Sequence, residues 1–388
     1  MKTRVAIVGA GPAGLVLSHL LAHEGIDSII VETKSRAYVE QRVRAGVLEY
    51  GTATLLREMG VGERMEREGL RHDGIQLRFE GARHRIDFRA LTGKVVTVYG
   101  QQEVVKDLIA ARLEAGGTIL FDATDTAVDG LDSARPSVHF RDAAGAQHRI
   151  DCDFIAGCDG FHGIARPSIP AHVLRVRERV YPFAWLGILA ESKPANEELT
   201  YSLHERGFAL LSLRSPTMSR LYLQCAPDED LDQWPDARIW DELSVRLGCA
   251  LDAGPVLQKL VTPMRSFVAE PMQYGRLFLA GDSAHIVPPT GAKGMNLAVA
   301  DARLLARALS AFYRTGDESG LAAYTQRCLR NVWRAQHFSW WMTSLLHRFS
   351  GPFEEFDYRR QVAELEQVAS SADAARVLAA NYTDACSQ

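Results

Sequence analysis

The amino-acid sequence predicts a mixed α/β protein in which an antiparallel sheet is inserted into a parallel-sheet domain. Three observations predict this fold class. A short apolar run, Val5–Val8, leads into a glycine-rich segment, a helical pattern and a second apolar run, as in a parallel sheet covered by helices. Between residues 180 and 262, β-rich segments alternate with turn residues. Helical patterns then fill 292–314, 319–346 and 359–380.

Composition narrows the classes of function. A chain of 388 residues with a net charge of −4 has room for two or three domains and no general attraction to nucleic acid or an anionic membrane. The six cysteines form neither a CxxC pair nor a zinc-type cluster, and no apolar run reaches about 18 residues. We therefore expect a cytoplasmic protein with reduced thiols, no metal ion, and no nucleic-acid or membrane partner.

The glycine-rich segment follows the first apolar run directly. Gly9, Gly11 and Gly14 have the GxGxxG spacing between a predicted strand and a predicted helix. The first two glycines let the backbone approach a pyrophosphate, and the third lets the helix pack against the strand. The second strand, Ser28–Val31, ends in Glu32, where an acid can accept both ribose hydroxyls. This arrangement predicts a dinucleotide site on a Rossmann-like domain.

The segment Thr33–Arg44, directly after that acid, carries four basic side chains. They are Lys34, Arg36, Arg42 and Arg44. A charge run of this kind is usual on a solvated helix face. A cationic surface beside a dinucleotide site would equally receive a second, phosphate-bearing cofactor, so the residues leave both interpretations open.

Two neighbouring strands of the predicted inserted sheet carry unusual polar residues. Side chains two residues apart share one face of a strand, which places Ser212 beside Arg214. On the next strand Arg220, Tyr222 and Gln224 share a face. A serine, an arginine and a tyrosine on adjoining strands would surround a planar carboxylate, which arginine binds through two parallel hydrogen bonds. The alternative is an exposed sheet face with ordinary surface arginines.

Asp282 follows an apolar strand predicted at 277–280 and therefore lies at a sheet edge. The Pro/Gly loop 288–291 then leads into a helix that opens at 292–294. The free amides of that helix would face whatever the loop encloses. An ordinary strand, loop and helix would show the same pattern, so this stretch alone decides little.

Three short motifs occur in order along the chain: GAGPAG at 9–14, CDG at 158–160 and GD at 281–282. Longer strings accompany them, including TVYGQ at 97–101, GDSAHIVPPTGAKGMNLA at 281–298 and FSWWMTSLLHRF at 338–349. Through these strings the chain resembles the single-component, FAD-dependent aromatic hydroxylases over nearly its whole length, and in particular those acting on 4-hydroxybenzoate. The resemblance implies an FAD-binding domain at 1–179 and 265–314, an antiparallel-sheet substrate domain at 180–264 and a C-terminal helical region at 315–388.

The activity that the resemblance implies is hydroxylation of 4-hydroxybenzoate to 3,4-dihydroxybenzoate. In that family NAD(P)H reduces FAD, and O2 adds to give a flavin C4a-hydroperoxide. The substrate carbon ortho to the phenolate attacks its terminal oxygen. The resemblance also implies a homodimer. Two alternatives remain open: a hydroxylase of another phenolic acid on the same scaffold, and a flavin-free binding protein of this fold.

The resemblance also implies a set of FAD contacts. Glu32 corresponds to the ribose contact and Asp282 to the ribityl contact, and the helix opening near Lys293 would stabilise negative charge on the reduced flavin. The full set is Gly9, Gly11, Gly14, Glu32, Arg42, Arg44, Gln101, Asp159, Arg220, Asp282, Lys293 and Asn296.

The implied substrate residues divide between the two ends of the substrate. Ser212, Arg214 and Tyr222 correspond to the carboxylate end, and Tyr201 and Pro289 correspond to the phenol end.

The resemblance adds a relay that passes the phenolic proton from Tyr201 through Tyr382 to His72 and on to solvent.

For the electron donor, the positions implied by the resemblance lie in separate parts of the sequence. They are Tyr38, Arg42, His162, Arg166 and Arg265, together with Lys34. Lys34 and Arg36 could pair with a 2′-phosphate, which favours NADPH over NADH.

Overall fold

The computed structural model describes residues 1–44 and 46–386. In chain order the strands are β1 (Val5–Val8), β2 (Ser28–Val31), β3 (Val47–Leu48), β4 (Leu70–His72), β5 (Gly74–Phe79), β6 (Ala82–Asp87), β7 (Val96–Val98), β8 (Thr118–Leu120), β9 (Thr124–Asp129), β10 (Ser137–Arg141), β11 (Gln147–Asp151), β12 (Phe154–Gly157), β13 (Arg175–Ala190), β14 (Thr200–Ser202), β15 (Ala209–Ser215), β16 (Met218–Cys225), β17 (Val256–Glu270), β18 (Gln273–Tyr274), β19 (Leu277–Leu279) and β20 (His285–Ile286).

The helices are α1 (Pro12–His23), α2 (Arg36–Gln41), α3 (Tyr50–Glu58), α4 (Glu63–Glu68), α5 (Phe88–Thr92), α6 (Gln101–Glu114), α7 (Asp236–Leu247), α8 (Gly294–Thr315), α9 (Ser319–Ala322), α10 (Tyr324–Leu346), α11 (Glu354–Ser370) and α12 (Ala372–Asp384). Short 3-10 turns occupy Arg166–Ser168, Leu231–Gln233, Gly281–Ser283 and Pro289–Gly291. The predicted mixed α/β fold class is confirmed.

The first large sheet is mostly parallel and has the order β18-β19-β12-β1-β2-β8. Strand β1 lies between β12 and β2 and pairs with both in parallel, and β19 continues the parallel pairing beyond β12. All residues of β1 and β12 are buried, as expected for continuously apolar strands at the centre of a parallel sheet. The carboxyl ends of β1, β12 and β19 therefore meet at one edge, which receives the glycine segment, Asp159 and Asp282.

The second large sheet has the order β20-β17-β13-β16-β15-β14-β5-β6. Strand β14 pairs with β5 in parallel, whereas the other pairings are antiparallel. Most of this sheet comes from the predicted insert. Strands β5 and β6 precede the insert in sequence, and β17 continues past residue 264 to Glu270. The domain limits given by the sequence stay a prediction.

Helices connect the two sheets and complete the fold. Helix α8 packs against α1 and α10, and α12 contacts α5 and β6. The helical pattern at 359–380 proves to be two helices, α11 and α12. The first ends before Ser371, whose side chain accepts the N–H of Ala374 at 3.4 Å and caps the second.

Buried apolar side chains form a large core around β1, α1 and α8, and a second core lies between the antiparallel sheet and helices α10 to α12. Within residues 1–44 and 46–386, no helix is long and apolar enough to cross a membrane. In the same part of the chain, no group of three or more His, Cys, Asp or Glu side chains is arranged to hold a metal ion. All six cysteines are free thiols.

Candidate active site

The glycine loop between β1 and α1 fits the pyrophosphate of a dinucleotide. Gly9 has φ +105°, and a Cβ there would lie 2.3 Å from the Cys158 carbonyl oxygen, so only glycine fits. A Cβ on Gly14 would lie 2.1 Å from the Gly9 carbonyl oxygen. A Cβ on Gly11, by contrast, would meet no atom within 4 Å, so the backbone there is open to approach. Helix α1 begins here without a side-chain cap, which leaves amides free for an anion.

Glu32 ties this loop to the end of β2. One carboxylate oxygen accepts the N–H of Ala10 at 2.8 Å, and the other accepts the N–H of Lys34 at 2.8 Å and the Thr33 hydroxyl at 3.3 Å. The side chain is half-buried beside the loop. Its position is compatible with the ribose contact predicted from the sequence, because each carboxylate oxygen can accept more than one hydrogen bond.

Two further carboxylates lie at the same sheet edge. Asp159 Oδ2 accepts the N–H of Ala165 at 2.8 Å, and Asp159 Oδ1 is buried without a hydrogen-bond partner among the described residues. Asp282 reaches solvent, although protein packed around its carboxylate desolvates it and raises its pKa. His285, Arg44 and Arg42 oppose that rise electrostatically. The structure thus brings Asp282 near the two basic residues that follow α2.

The remaining predicted FAD contact in this part of the chain is Gln101. It is the first residue of α6 and is half-buried.

The pKa of Arg44 is lowered mainly by desolvation. The charge of Arg42 lowers it further, whereas the charge of Asp282 raises it.

The opening of α8 is held by two buried polar side chains, and its assignment to the flavin stays a prediction. Lys293 is fully buried, and its Nζ donates to Glu49 Oε1 at 2.6 Å and to the Tyr382 carbonyl at 2.9 Å. The Asn296 side chain accepts the N–H of Glu49 at 2.9 Å and donates to the Val47 carbonyl at 3.0 Å. Both side chains therefore brace the segment before α3.

Pro289, in the short 3-10 turn before α8, is half-buried. Its carbonyl oxygen accepts the N–H of Ala292 at 2.9 Å, which leaves one lone pair for a ligand. Ala292 has φ +55°, a left-handed conformation that turns the chain sharply into the helix.

The predicted carboxylate-binding residues share one face of the antiparallel sheet. Ser212 pairs across the strands with Arg220, and Leu210 pairs with both Tyr222 and Tyr201. Directly opposed residues point to the same face, and side chains two apart on one strand do so as well. The register shifts between Leu213 and Ser215, at Arg214 itself, but Arg214 is close enough to Tyr222 and Arg220 for their charges to act on its guanidinium, which brings it beside this face.

Arg214 has unused hydrogen-bonding capacity. Its Nη1 donates to the Leu213 carbonyl at 3.3 Å and its Nη2 to the Arg44 carbonyl at 3.5 Å, both weak contacts. Its Nε is buried and has no partner in the described part of the chain. Burial lowers the pKa of the guanidinium. Arg214 as a whole is half-buried, but desolvating a guanidinium N–H without an acceptor is costly, and an anion bound there would offset the cost.

Arg220 lies on the same face and is 7% exposed. Its guanidinium stacks 5.4 Å from the ring centroid of Tyr222, and Nη1 donates to Gln258 Oε1 at 3.4 Å. A Cβ on Gly187 would lie 3.0 Å from Arg220 Nη2, so the glycine makes room for this side chain.

At the phenol end, the hydroxyl oxygens of Tyr201 and Tyr382 lie 2.5 Å apart, and both side chains are fully buried. Burial is the main cause that raises the pKa of each tyrosine. Both are therefore neutral hydroxyls that can pass a proton between them.

His72, the predicted outlet of this relay, lies inside the protein with 1% exposure. Its Nδ1 accepts the N–H of Leu199 at 3.3 Å, and Nε2 is buried without a partner among the described residues. Burial lowers the pKa of His72 to about 4, so the imidazole is neutral at pH 7. The path from His72 to solvent is therefore not open in this structure.

The predicted donor-binding residues fall into two groups. Lys34 Nζ lies 5.8 Å from the ring centroid of the exposed Tyr38, beside α2. Arg36, in the same helix, is already paired with Glu40 at 2.6 Å.

The second group surrounds Phe161. The guanidinium groups of Arg166 and Arg265 lie 4.7 and 4.8 Å from its ring centroid, and the neighbouring His162 is exposed. Arg166 also donates to the Phe161 carbonyl at 2.6 Å and to the Ser283 carbonyl at 3.0 Å, so it braces the turn that carries Asp282.

Two charged pairs at the site were missed by sequence reasoning. Glu49 pairs with Lys293, as described above, and the buried His285 Nε2 lies 2.5 Å from Asp301 Oδ2. Asp301 Oδ2 also accepts the N–H of Gly281 at 3.0 Å and so fixes the Asp282 turn. The sequence signal for these two pairs is weak: each partner is a single charged or titratable residue near apolar residues.

The fold and site define a class, the FAD-binding oxidoreductases with an attached antiparallel substrate sheet. In agreement, residues 2–339 match the FAD binding domain family. The chain is also 49% identical over 387 residues to p-hydroxybenzoate hydroxylase of Acinetobacter baylyi, covering 98% of this chain and 95% of that protein. The chain therefore belongs to the p-hydroxybenzoate hydroxylase family, and the resemblance seen in its motifs is confirmed.

Solved structures share the fold at lower identity. The p-nitrophenol 4-monooxygenase of Pseudomonas putida superposes with a TM-score of 0.85 at 18% identity, over 98% of both chains. An aklavinone-11 hydroxylase in complex with FAD and aklavinone gives a TM-score of 0.76 at 21% identity, over 89% of this chain and 69% of that one.

Proposed function

We propose that this protein uses FAD, NAD(P)H and O2 to hydroxylate 4-hydroxybenzoate to 3,4-dihydroxybenzoate. The observation that carries the proposal is the buried Nε of Arg214, which has no partner among the described residues and lies beside the face that bears Ser212 and Tyr222. This set suits a carboxylate, which arginine can bind through two parallel hydrogen bonds. The buried Tyr201–Tyr382 pair supplies hydroxyls for a phenol.

The proton relay at the phenol end activates the substrate, because it removes the phenolic proton. A free phenol has a pKa of about 10 and is mostly neutral at neutral pH, whereas the phenolate is the better nucleophile at its ortho carbon. In the proposed relay Tyr201 accepts the phenolic proton as its own proton passes to Tyr382. Tyr382 in turn releases its proton by way of His72, once the path from His72 to solvent opens, so neither tyrosine has to become an anion. The protein thereby orients the ring, excludes water and times the proton transfer. FAD, when bound, takes electrons from NAD(P)H and activates O2 for transfer of one oxygen atom to the ring.

For FAD itself, the free amides of α1 would hold the pyrophosphate, Glu32 the ribose and Asp282 the ribityl chain. The amides at the opening of α8 would face the flavin ring system, where the helix N-terminus favours negative charge. Lys293, paired with Glu49, holds that opening in place.

The test is an assay of the FAD-loaded protein with NADH and NADPH in parallel. We expect 4-hydroxybenzoate to accelerate NAD(P)H oxidation by roughly tenfold or more, since bound substrate completes the site, and to yield 3,4-dihydroxybenzoate. We expect a higher kcat/KM with NADPH, because Lys34 offers a cation for the 2′-phosphate. A panel of other phenolic acids is the control. If 4-hydroxybenzoate neither accelerates NAD(P)H oxidation nor yields product, the substrate assignment is wrong. If only another phenolic acid yields product, the protein is a hydroxylase of that acid.

The proposal includes a homodimer, which we place at a cleft of about 360 Å³ between β13, β17 and α10. Trp333 and Trp340 line it and are 44% and 39% exposed, an unusual exposure for tryptophan. Sedimentation is expected to give the mass of two chains, and Trp333→Glu to shift the protein toward monomer. Phe356→Glu changes an apolar residue on α11 that is even more exposed, at 70%, but lies outside the cleft, and it is expected to leave the dimer intact. A monomeric wild type, or dissociation by Phe356→Glu alone, would contradict this placement.

A further inference from the structure

A column of stacked rings lies on the substrate face of the antiparallel sheet, next to the predicted substrate residues. The His347 ring centroid is 4.3 Å from that of Phe208 and 4.7 Å from that of Phe183, with interplanar angles of 20° and 10°. Trp185 stacks on Phe208 at 5.1 Å and 9°. All four side chains are buried. Rings this close to parallel leave each neighbour little freedom to tilt.

Hydrogen bonds fix the tautomer of His347 at the end of α10. The indole Nε1–H of Trp185 donates to His347 Nε2 at 2.7 Å, and His347 Nδ1 lies 3.0 Å from the Thr343 carbonyl oxygen. An indole can only donate and a carbonyl can only accept, so Nδ1 carries the proton and Nε2 is the acceptor. Burial lowers the pKa of His347 to about 3, which keeps Nε2 available to Trp185 at neutral pH.

The column contacts both ends of the proposed substrate site. The ring centroid of Trp185 lies 4.8 Å from that of Tyr222, at the carboxylate end. The ring centroid of Phe208 lies 6.3 Å from that of Tyr201, at the phenol end. A shift of the column would therefore move the two tyrosines relative to each other.

Gln224 anchors the same unit to the helical region. Its Oε1 accepts the N–H groups of Arg348 at 3.0 Å and Phe208 at 3.1 Å, and its Nε2 donates to the Arg348 carbonyl at 2.7 Å. The amide thus uses both ends to hold the residue after His347 against the sheet. This accounts for the third polar residue that the sequence pattern placed on the Tyr222 face.

We propose that His347 is a positioning residue that sets the separation of Tyr222 and Tyr201 through Trp185 and Phe208, and so selects phenolic acids by length. The inference rests on the proposed function, because it names what determines substrate choice at that same site. Without an acceptor for its N–H, the Trp185 indole would turn toward another partner, and Tyr222 would move with it. An acid longer by one carbon, 4-hydroxyphenylacetate, would then fit better than it does in the wild type.

The experiment compares His347→Phe, which keeps a flat ring but removes the acceptor, with His347→Gln, which offers a carbonyl oxygen in its place. Trp185→Phe removes the same hydrogen bond from the donor side. We expect His347→Phe and Trp185→Phe to lower kcat/KM for 4-hydroxybenzoate by about tenfold, mainly through KM, as expected for a lost buried hydrogen bond. Their preference for 4-hydroxybenzoate over 4-hydroxyphenylacetate is expected to fall by more than about tenfold, because kcat/KM for the longer acid rises while that for 4-hydroxybenzoate falls. His347→Gln is expected to recover most of both values.

Thermal unfolding of each FAD-loaded variant shows which variants fold. If His347→Phe does not fold, Trp185→Phe still tests the loss of the same hydrogen bond. A wild type that makes no product from 4-hydroxybenzoate overturns the proposed function. An active wild type whose preference survives in the folded variants overturns this inference alone. Equal loss on both acids, without recovery in His347→Gln, also overturns it, since that result would indicate only a structural role.

Discussion

Replacing Tyr201 by Phe is expected to leave 4-hydroxybenzoate bound but to slow its hydroxylation on the order of 100-fold, the usual contribution of a positioned proton acceptor. The Tyr201 hydroxyl is buried against that of Tyr382 at 2.5 Å, so its loss breaks the relay at its first step. The carboxylate residues lie on other strands and are untouched by the change. Single-turnover product formation, measured beside a substrate dissociation constant, separates the two effects.

The matched variants are Tyr382→Phe and the double variant. If the two hydroxyls act as one relay, Tyr382→Phe lowers the hydroxylation rate by a similar factor. The variant that carries both Tyr201→Phe and Tyr382→Phe is then no slower than Tyr201→Phe alone. Additive losses would mean that the tyrosines act separately. A Tyr201→Phe variant that binds substrate as poorly as it hydroxylates it would contradict the assignment of Tyr201 to chemistry.

Replacing Arg214 by Ala is expected to weaken 4-hydroxybenzoate binding by roughly 100-fold, or about 3 kcal/mol, the scale of a buried charge-assisted pair. The guanidinium is the cation on the substrate face whose Nε has no protein partner among the described residues. Arg214→Lys is expected to fall between the wild type and Arg214→Ala, because an ammonium keeps the charge but loses the two parallel hydrogen bonds. Titration of the FAD-loaded protein with substrate measures the change.

Arg206→Ala is the control for this series, since Arg206 is exposed and paired with Glu242 at 3.1 Å. Its affinity for 4-hydroxybenzoate is expected to match that of the wild type. Retained affinity in Arg214→Ala would rule out a carboxylate at this arginine.

Local patterns predicted the parts of the site that depend on short-range rules. The GxGxxG spacing located the loop that only glycine fits at Gly9, and the two-residue period of a strand placed Arg220 and Tyr222 on one face. Local patterns do not predict which residues pair as buried charges. Lys293 and Glu49 are 244 positions apart, and only the packing of α8 against the segment before α3 brings them together. The burial of His72 likewise depends on strands that meet in the folded chain.

The parallel pairing of β14 with β5 has a consequence for how the chain folds. It joins Thr200–Ser202 to Gln76–Arg78, so the strand that carries Tyr201 is held by a segment more than a hundred residues upstream. Closing so long a loop is slow, because its entropy is lost before the contacts that reward it form. The antiparallel sheet is therefore expected to form late and together with the parallel domain. Residues 180–264 expressed alone would lack β5 and β6 and would leave the edge of β14 exposed to aggregation.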